Sequence, residues 1–373
     1  MSAIRLILQA RVNLFSKPGG DTIQVNDLKD GLIRKGLSVE ISTELKPPLD
    51  SYDIVHLFNI TRIHETYIQF ANAKRQSKPV VCSAIYHPLG EYNRKGRYGL
   101  GRLAFMIIRN DQGIEYARGL FNASRDWRQA PSILQQWSIG YRTQQERVLA
   151  GADKIIFGSE SEKHSAFTHF PQIAPRINYD IIKIGMPPIS QKINAHFFEK
   201  RYGLREFVLC VGRIEDFKNQ LNLIKAMKGL SIPMVFIGSL NKAHGRYGKK
   251  VLGEINKRDD CHFLGQLSRA MLASAYAAAK VHVLPSWFET TGLSSLEAGV
   301  AECNVVTTDR GYAGDYLKDY AWYCDPSDPL SIRDAVKAAY YSPVRPGLLR
   351  HIRHELDFQK MLERFVRVYR ELM

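Results

Sequence analysis

The chain has 373 residues, which is more than one ordinary hydrophobic core organises and suits two domains. With 45% hydrophobic and 24% charged residues, and without a long apolar run, a repeat or a low-complexity segment, the composition excludes membrane-spanning, solenoid and disordered classes. The net charge of +15 leaves three kinds of partner: nucleic acid, an anionic membrane surface or a phosphorylated substrate. The five scattered cysteines predict reduced thiols in the cytoplasm rather than disulfides or a zinc site.

The first predicted unit is a strand at residues 4–9, a turn-rich loop that ends in Gly19 and Gly20, and a helix at residues 22–35. Such a strand, glycine loop and helix suit a phosphate, because backbone N–H groups at the helix start point at it. The loop lacks the G-x-G-x-x-G spacing, so it is not a dinucleotide fingerprint. A plain turn with two glycines is the alternative.

Further strands are predicted at residues 39–42, 53–57 and 79–85. The last of these runs ends in Tyr86 and His87, and either side chain could face a ligand at the strand end. A histidine at a strand end is also commonly an ordinary polar loop residue. Both interpretations, and the choice between Tyr86 and His87, stay open.

A basic segment at residues 91–128 interleaves cationic and aromatic side chains. Basic residues attract anionic lipid and aromatic residues favour the interface. We expect the segment to meet a phosphorylated or lipid-linked acceptor or membrane headgroups; the alternative is a solvated basic surface. The cationic residues are Arg94, Lys95, Arg97, Arg102, Arg109, Arg118, Arg125 and Arg128.

The rest of the first half predicts a helix at 132–150, a strand at 154–157, a helix opened by the capping box of Ser159 and Glu162, and a strand at 180–184. Gly185-Met186-Pro187-Pro188 then breaks the pattern and marks a domain boundary. An apolar stripe near the C-terminus predicts a packing helix. The predicted segments are residues 1–186, 187–353 and 354–373.

The second half begins with an apolar run at residues 207–211, which predicts a buried strand, followed by GRIEDFKN at 212–219. Arg213 stands at the strand end and Lys218 near the start of the next helix, so both can reach an anion above the sheet. Fixed cations stabilise charge that develops on a leaving group. A surface arginine and lysine beside a turn is the bland alternative.

Strands and helices then alternate, which predicts a parallel doubly wound sheet. Residues 234–237 end at Gly238, and a short strand at 262–265 ends at Gly265. A helix capped by Ser268 follows. The remaining predicted strands are at residues 281–284 and 304–308.

The turn after residues 281–284 reads PSWFETTGLSSLEA, from Pro285 to Ala298. Gly292 permits a tight turn, and a helix begins near Leu293. Glu289 and Glu297 lie eight positions apart, so one falls in the loop and the other about one turn into the helix. Both carboxylates can face the crevice at the carboxyl end of the sheet, where open α/β sheets bind ligands.

This turn resembles the paired-glutamate motif of retaining, nucleotide-sugar-dependent glycosyltransferases of the GT-B fold, family four. Residues 212–218 match the family's G-R-x(4)-K pattern. One departure concerns the loop after the second glutamate, where the family has Gly-x-Pro and this chain has Ala301-Glu302-Cys303. The resemblance implies an α/β chain of two Rossmann-like domains that face a cleft, with a C-terminal helix that crosses back to the first domain.

The resemblance also implies roles for single residues. Arg213 and Lys218 would stabilise the departing diphosphate, Glu289 would hold the transferred sugar, and Glu297 would hold the ribose. His87, or Tyr86 in its place, would touch the donor sugar or the acceptor. The other donor-binding positions would be Gly19, Gly20, Gly238, Gly265, Thr291, Gly292 and Leu293.

The implied reaction moves a sugar, with retention, from a nucleoside-diphosphate sugar to a glycan or lipid-linked acceptor. It needs no cofactor and no metal, since no D-x-D motif serves as a divalent-ion site. The expected setting is cell-surface polysaccharide synthesis in the cytoplasm or at the inner face of the membrane. An epimerase or a glycan phosphorylase of the same architecture is the alternative, whereas nucleic-acid binding is disfavoured because no recognisable binding module carries the charge.

Overall fold

The computed structural model describes residues 3–99, 113–114, 116, 130–188, 193–241 and 245–373. Contacts divide these residues into two compact units. The first unit contains the described residues of Met1–Pro88, Ile108–Pro187 and Asp357–Met373. The second unit contains those of Leu89–Ile107 and Pro188–Leu356.

The first unit is built on a parallel sheet with the strand order β2-β1-β3-β4-β5-β6. Its central strands are continuous apolar runs because helices cover both faces, as in other parallel sheets. Leu6, Ile7 and Leu8, for example, are at most 1% exposed. The strands are Arg5–Gln9 (β1), Ser38–Ser42 (β2), Ile54–Phe58 (β3), Val80–Ser83 (β4), Lys154–Phe157 (β5) and Tyr179–Ile181 (β6).

Helices flank this sheet, and the predicted helix at 132–150 is in fact two helices. Gly140 separates them with φ +96°, a left-handed conformation that ends an α-helix. The helices of the unit are Gly20–Arg34, Ile63–Arg75, Ala130–Ile139, Tyr141–Gly151, Glu160–His169 and Phe358–Glu371, with a 3₁₀ turn at Ala174–Arg176.

The helix Phe358–Glu371 belongs to the core of the first unit. Asp357 caps it by accepting a hydrogen bond of 2.8 Å from the Lys360 amide. Its apolar stripe joins the core that contains β1 and the helix Gly20–Arg34. Burying one such large apolar side chain stabilises the fold by roughly 1.5–3 kcal/mol. The buried residues of the stripe include Phe358, Met361, Leu362, Phe365 and Tyr369.

The second unit is built on another parallel sheet, with the strand order β12-β11-β10-β7-β8-β9. The strands are Val208–Val211 (β7), Met234–Ile237 (β8), Cys261–Phe263 (β9), Val281–Leu284 (β10), Asn304–Thr308 (β11) and Trp322–Cys324 (β12). The α-helices are His196–Tyr202, Gln220–Ala226, Gly245–Ile255, Arg269–Ala278, Leu293–Val300, Ala313–Leu317, Pro329–Tyr341 and Leu348–Glu355. Shorter turns are Tyr92–Gly96 (π), Asp216–Lys218 and Lys318–Tyr320 (both 3₁₀).

The order of the second sheet reverses between two neighbouring strands, β7 and β10. From β7 the chain winds outward through β8 and β9, then returns to β10 on the other side and continues to β11 and β12. Such a reversal opens a crevice at the carboxyl ends of the two strands, where ligands of α/β proteins bind. The loops after β7 and β10 are therefore where a ligand site is expected.

The predicted fold class, two parallel doubly wound sheets, is confirmed. Segment limits differ in detail: residues 89–99 group with the second unit rather than with residues 1–88, since the Tyr92 hydroxyl and the Tyr98 amide donate to Asp216. The predicted strand 79–85 ends at Ser83, because Ile85 turns the chain aside with φ +42°. Among the described residues, no helix combines the length and apolar character that crossing a bilayer requires.

Candidate active site

The loop after β7 carries the first half of the candidate site. Lys218 ends the 3₁₀ turn Asp216–Lys218, and Asn219 follows in the left-handed conformation with φ +61°. The Asn219 side-chain amide donates to the carbonyl oxygens of Pro285 and Pro326, at 2.9 and 2.7 Å. Because Pro285 directly follows β10, one asparagine ties the Lys218 turn to the neighbouring loop.

The loop after β10 carries the second half. The Trp287 amide donates to the Phe217 carbonyl at 3.0 Å, which joins the two loops a second time. Glu289 forms a bridge with the stretch after β11: its amide donates to the Arg310 carbonyl at 3.2 Å, and its carbonyl accepts from the Tyr312 amide at 2.7 Å. The backbone of Glu289 is therefore held on both sides.

Lys218 and Glu289 form an ion pair at the reversal of the sheet, with Nζ and Oε1 2.6 Å apart. The Lys218 side chain is 21% exposed and that of Glu289 only 9%. Such a partly buried pair depends on both partners, because removing one leaves an uncompensated charge. A lysine ammonium that is fixed in a crevice can bind an anion without reorganising solvent.

Two buried groups beside the pair have perturbed pKa values. Burial, reinforced by the Lys218 charge, lowers the pKa of His282 to about 3, so this ring is neutral. Burial raises the pKa of the Cys210 thiol to about 12, an effect that Lys218 opposes and Glu289 reinforces. Neither group is therefore charged near neutral pH, and the ion pair sets the local field.

Arg213 stands directly after β7 and is the more exposed cation. Its side chain is 41% exposed and its Nη2 lies 3.3 Å from Glu215 Oε1. The second Glu215 oxygen accepts from the Asn241 side chain at 2.8 Å. Glu215 thus anchors the guanidinium at the rim of the loop.

The turn after Glu289 leads into the helix Leu293–Val300. Gly292 has φ +70°, as the tight turn predicted from the sequence requires. Thr291 is buried, and Leu293 is half-buried as the first helical residue. No side chain among the described residues caps this helix start, whose N–H groups and dipole favour an anion.

Glu297 lies one turn into the same helix, as predicted. Its Oε2 accepts a hydrogen bond of 2.9 Å from the Tyr276 hydroxyl. Burial, together with the Glu297 charge, raises the pKa of Tyr276 well above its ordinary value, so this hydroxyl remains a donor. Tyr276 fixes the carboxylate while Glu297 stays half-buried.

The turns after β8 and β9 close the edge of the site. The Gly238 amide donates to the Gly265 carbonyl at 2.8 Å. A Cβ on Gly238 would overlap the Gly212 carbonyl and lie 2.6 Å from its carbon, so only glycine fits there. Gly238 therefore packs against the loop that carries Arg213, and its hydrogen bond ties Gly265 to the same place.

The remaining predicted residues belong to the first unit. Gly19 precedes the helix Gly20–Arg34 in an extended conformation, and its amide donates to the Thr22 hydroxyl at 3.0 Å. Gly20 is the first residue of that helix. Both lie beyond the carboxyl end of β1, whereas His87 lies beyond β4, two strands along the sheet.

Tyr86 and His87 differ in burial. Tyr86 is 4% exposed and its ring packs edge-on against Phe170, which makes it a core residue. His87 is half-buried, and its Nδ1 lies 3.3 Å from the Thr61 hydroxyl. Of the two, His87 is the more exposed side chain.

Glu162 holds the backbone that leads to His87. Ser159 accepts from the Glu162 amide as predicted, but the Glu162 carboxylate reaches the amides of Tyr86 and Gly158, at 2.7 and 2.6 Å. Burial raises the Glu162 pKa to about 7, although these two N–H donors act to lower it. The capping box is thus only half formed, and its carboxylate supports a neighbouring loop.

The structure brings together the predicted residues of the second unit at one edge of one sheet. Sequence reasoning missed three residues that hold them: Asn219, Gly311, which forms a parallel bridge with Glu289, and Tyr276. An asparagine directly after the G-R-x(4)-K pattern and a glycine after β11 were the available signals for the first two. Tyr276 gave no local signal, since it lies on the apolar helix Arg269–Ala278.

The basic segment is only partly described. Lys95 pairs with Glu91 at 3.0 Å, and the Arg97 guanidinium stacks 5.1 Å from the centre of the Tyr92 ring. Arg94 is exposed, and the other five basic positions, Arg102, Arg109, Arg118, Arg125 and Arg128, lie outside the described residues. Within the part of the chain that is described, no three His, Cys, Asp or Glu residues are grouped as metal ligands would be.

Comparison with known proteins gives a family match in the same half of the chain. Residues 191–351 match the family described as glycosyl transferases group 1. A D-inositol 3-phosphate glycosyltransferase from Paenarthrobacter aurescens is 23% identical over 189 residues, which cover 47% of this chain and 45% of the relative. The same enzyme from Pseudarthrobacter chlorophenolicus is 25% identical over 181 residues, 45% of this chain and 42% of the relative. The chain thus matches less than half the length of these relatives.

Solved structures match almost the whole chain. Sucrose-phosphate synthase from Thermosynechococcus elongatus has a TM-score of 0.70 at 15% identity and covers 99% of both chains. Anabaena HepE, in complex with UDP and glucose, has a TM-score of 0.68 at 14% identity, with 98% and 99% covered. At such identities the likeness shows the fold. Of the resemblance seen in the motifs, the glycosyltransferase match and the fold are confirmed: residues 191–351 match the glycosyl transferases group 1, and the chain has the GT-B fold.

Proposed function

We propose that this protein transfers a sugar from a nucleoside-diphosphate sugar to a hydroxyl group of a glycan or lipid-linked acceptor, with retention at the anomeric carbon. The observation that carries the proposal is the Lys218–Glu289 pair, 2.6 Å apart at the reversal of the second sheet. The helix Leu293–Val300 starts four positions after Glu289. Cation, carboxylate and helix start suit the diphosphate and the sugar hydroxyls of one donor.

In the proposed reaction, the bond between the sugar's anomeric carbon and the diphosphate oxygen breaks, and its electron pair goes to the diphosphate. Lys218, Arg213 and the helix N–H groups stabilise that charge. The acceptor hydroxyl forms the new bond from the same face, and its proton passes to the departing diphosphate oxygen. Glu289 orients the sugar hydroxyls, and His87 touches the donor sugar or the acceptor.

The donor nucleoside would lie against the loops after β8, β9 and β10. Glu297, fixed by Tyr276, would accept hydrogen bonds from the ribose hydroxyls. The turns at Gly238 and Gly265 would face the base with backbone groups. Gly19 and Gly20 would border the donor from the first unit. Since HepE was solved with UDP and with UDP-glucose, uridine donors are the first probes to use.

We propose that the reaction needs neither a cofactor nor a metal ion, because two fixed cations and a helix start already face the leaving group. Turnover with EDTA should then equal turnover with added magnesium. A loss of activity in EDTA that magnesium restores would assign part of the charge stabilisation to a metal ion.

The test begins with a thermal-shift screen of UDP, GDP, dTDP and ADP, followed by product analysis with the matching sugar donors and saccharide acceptors. A new glycosidic bond whose anomeric configuration, α or β, is the same as that of the donor supports retaining transfer. A changed donor sugar would indicate an epimerase, and a sugar phosphate would indicate a phosphorylase. Binding to DNA or RNA that falls steeply with salt would support the nucleic-acid class instead.

For the cellular setting we propose cell-surface polysaccharide synthesis at the cytoplasmic face of a membrane. The five cysteines are all free and buried, which suits a reducing compartment. The basic segment would supply attraction to anionic lipid. Flotation with vesicles of neutral and of anionic lipid tests this: equal recovery with both would remove the membrane part of the proposal.

A further inference from the structure

Residues 91–98, here called the clip, pack on the loop that carries Lys218. The Tyr92 hydroxyl donates to Asp216 Oδ1 at 2.7 Å, and the Tyr98 amide donates to Asp216 Oδ2 at 3.0 Å. Asp216 is 6% exposed and opens the 3₁₀ turn that ends at Lys218. Both oxygens of a buried carboxylate are therefore satisfied by the clip.

The other end of the clip is fixed beside Glu289. Arg310 Nε donates to Glu91 Oε2 at 2.9 Å, while the Arg310 carbonyl accepts from the Glu289 amide at 3.2 Å. Burial acts to raise the Glu91 pKa, but hydrogen bonds from Arg310 and Lys95 outweigh it and lower that pKa. The clip thus spans the two loops whose side chains form the Lys218–Glu289 pair.

Apolar contacts close the space between these two anchors. The Tyr92 ring lies edge-on to the Phe217 ring, with centroids 4.9 Å apart. Gly96 approaches Trp287 so closely that a Cβ there would lie 2.6 Å from the indole nitrogen and 2.6 Å from the Tyr92 ring. Phe217 precedes Lys218, and Trp287 lies two positions before Glu289. The clip includes the π-helical turn Tyr92–Gly96, and such turns are frequent at functional sites.

We propose that the clip positions Lys218 against Glu289, with Tyr92 and Asp216 as positioning residues for sugar transfer. This inference rests on the proposed function. Tyr92 acts through Asp216 on the Lys218 turn, and Glu91 acts through Arg310 on the loop that carries Glu289. Loosening the clip should therefore change the geometry of the pair more than the occupancy of the donor site.

The first test needs no substrate. Hydrogen exchange of the backbone amides at residues 212–220 is compared in wild type, Tyr92→Phe and Gly96→Ala. The control is Tyr340→Phe, which removes a hydroxyl that donates to the Glu206 carbonyl at 2.7 Å, before the opposite end of β7. Exchange about tenfold faster in the two clip variants, and unchanged in the control, is the expected result. Equal exchange in all four proteins would overturn the inference.

The second test uses UDP-glucose, GDP-mannose, dTDP-glucose and ADP-glucose as donors. Tyr92→Phe should lower kcat by about tenfold while the KM for the donor stays within about threefold. Combining it with Asp216→Asn should cost little more than the worse single variant, because both act on one turn. If the clip variants had the same kcat as Tyr340→Phe while Lys218→Ala lost its activity, the inference would be overturned and the proposed function would stand. If the wild type turned over none of the four donors while the clip variants still exchanged faster than wild type, the proposed function would be overturned instead.

Discussion

Gly311 packs directly against the backbone of Glu289. Gly311 has φ +100°, and a Cβ there would overlap the Glu289 carbonyl oxygen and lie 2.8 Å from its amide nitrogen. Gly311→Ala should therefore displace the backbone of Glu289 and reduce sugar transfer by at least about tenfold.

Gly229→Ala is the matched control for this substitution. Gly229 also has a positive φ, +78°, but nothing lies within 4 Å of a Cβ there. It should show only the strain of the left-handed conformation, about 1 kcal/mol of unfolding free energy, with activity retained. Equal activity in the two variants would mean that the close approach at Gly311 does not matter for the site.

Lys218→Ala should lower turnover by about 100-fold, because the developing diphosphate charge loses its fixed cation. The protein should stay folded, since Lys218 is 21% exposed and packs only loosely over Gly212, but its free energy of unfolding should fall because the buried Glu289 carboxylate loses its partner. Lys250→Ala breaks a pair of similar length, Lys250–Glu254 at 2.8 Å, on an exposed helix face and serves as the control. If both variants kept wild-type kcat, Lys218 would have no catalytic role.

Glu297→Ala should weaken nucleoside-diphosphate binding by about tenfold or more, because a carboxylate that binds two hydroxyl groups is lost. Calorimetric titration with UDP measures this directly. Tyr276→Phe should weaken binding less, since the carboxylate stays and loses only the hydroxyl that orients it. An unchanged dissociation constant for Glu297→Ala would remove the ribose assignment.

His282 should make the protein sensitive to acid. Burial lowers its pKa from 6.5 to about 3, so between these pH values the unfolded chain binds a proton at His282 and the folded chain does not. Its contribution to stability is therefore complete above about pH 6.5 and is lost as the pH falls toward 3, by up to about 1.4 kcal/mol per pH unit. His56 is buried in the same way, with its pKa also lowered to about 3.

Urea unfolding of wild type and His282→Phe across this pH range tests the prediction. The difference in unfolding free energy between the two proteins should be constant above about pH 7 and should shift in favour of the variant below it. The values at high pH report any packing cost of the larger ring and serve as the internal reference. Parallel pH profiles would contradict the assignment.

Strands and the principal site could be predicted because their signals are local. Buried parallel strands read as short apolar runs, and residues 234–237 and 304–308 match β8 and β11 at both ends. The helix start at Leu293 was also predicted, since Gly292 marks it. Both Lys218 and Glu289 were predicted at strand ends of one crevice, but their ion pair was not; it follows from the observed strand order, which makes β7 and β10 neighbours.

Features that depend on distant contacts could not be predicted. Tyr92 finds Asp216 at a separation of 124 positions, and nothing in the local pattern at residues 91–98 indicates that partner. Tyr86 and His87 could not be ranked, because only the packing of Phe170 shows which ring is buried. The split of the predicted helix 132–150 depends on one glycine that a helical pattern tolerates.

The place of the helix Phe358–Glu371 in the first unit has a consequence for biosynthesis. On the ribosome, every residue of the second unit is made before Phe358, Leu362 and Tyr369 emerge from the exit tunnel. Until then the apolar face of the helix Gly20–Arg34 stays exposed in the nascent first unit, although the whole second unit has already been synthesised. The first unit should thus stay incomplete until the helix Phe358–Glu371 has emerged, against the usual N-to-C order, and expose an apolar face to chaperones in the meantime.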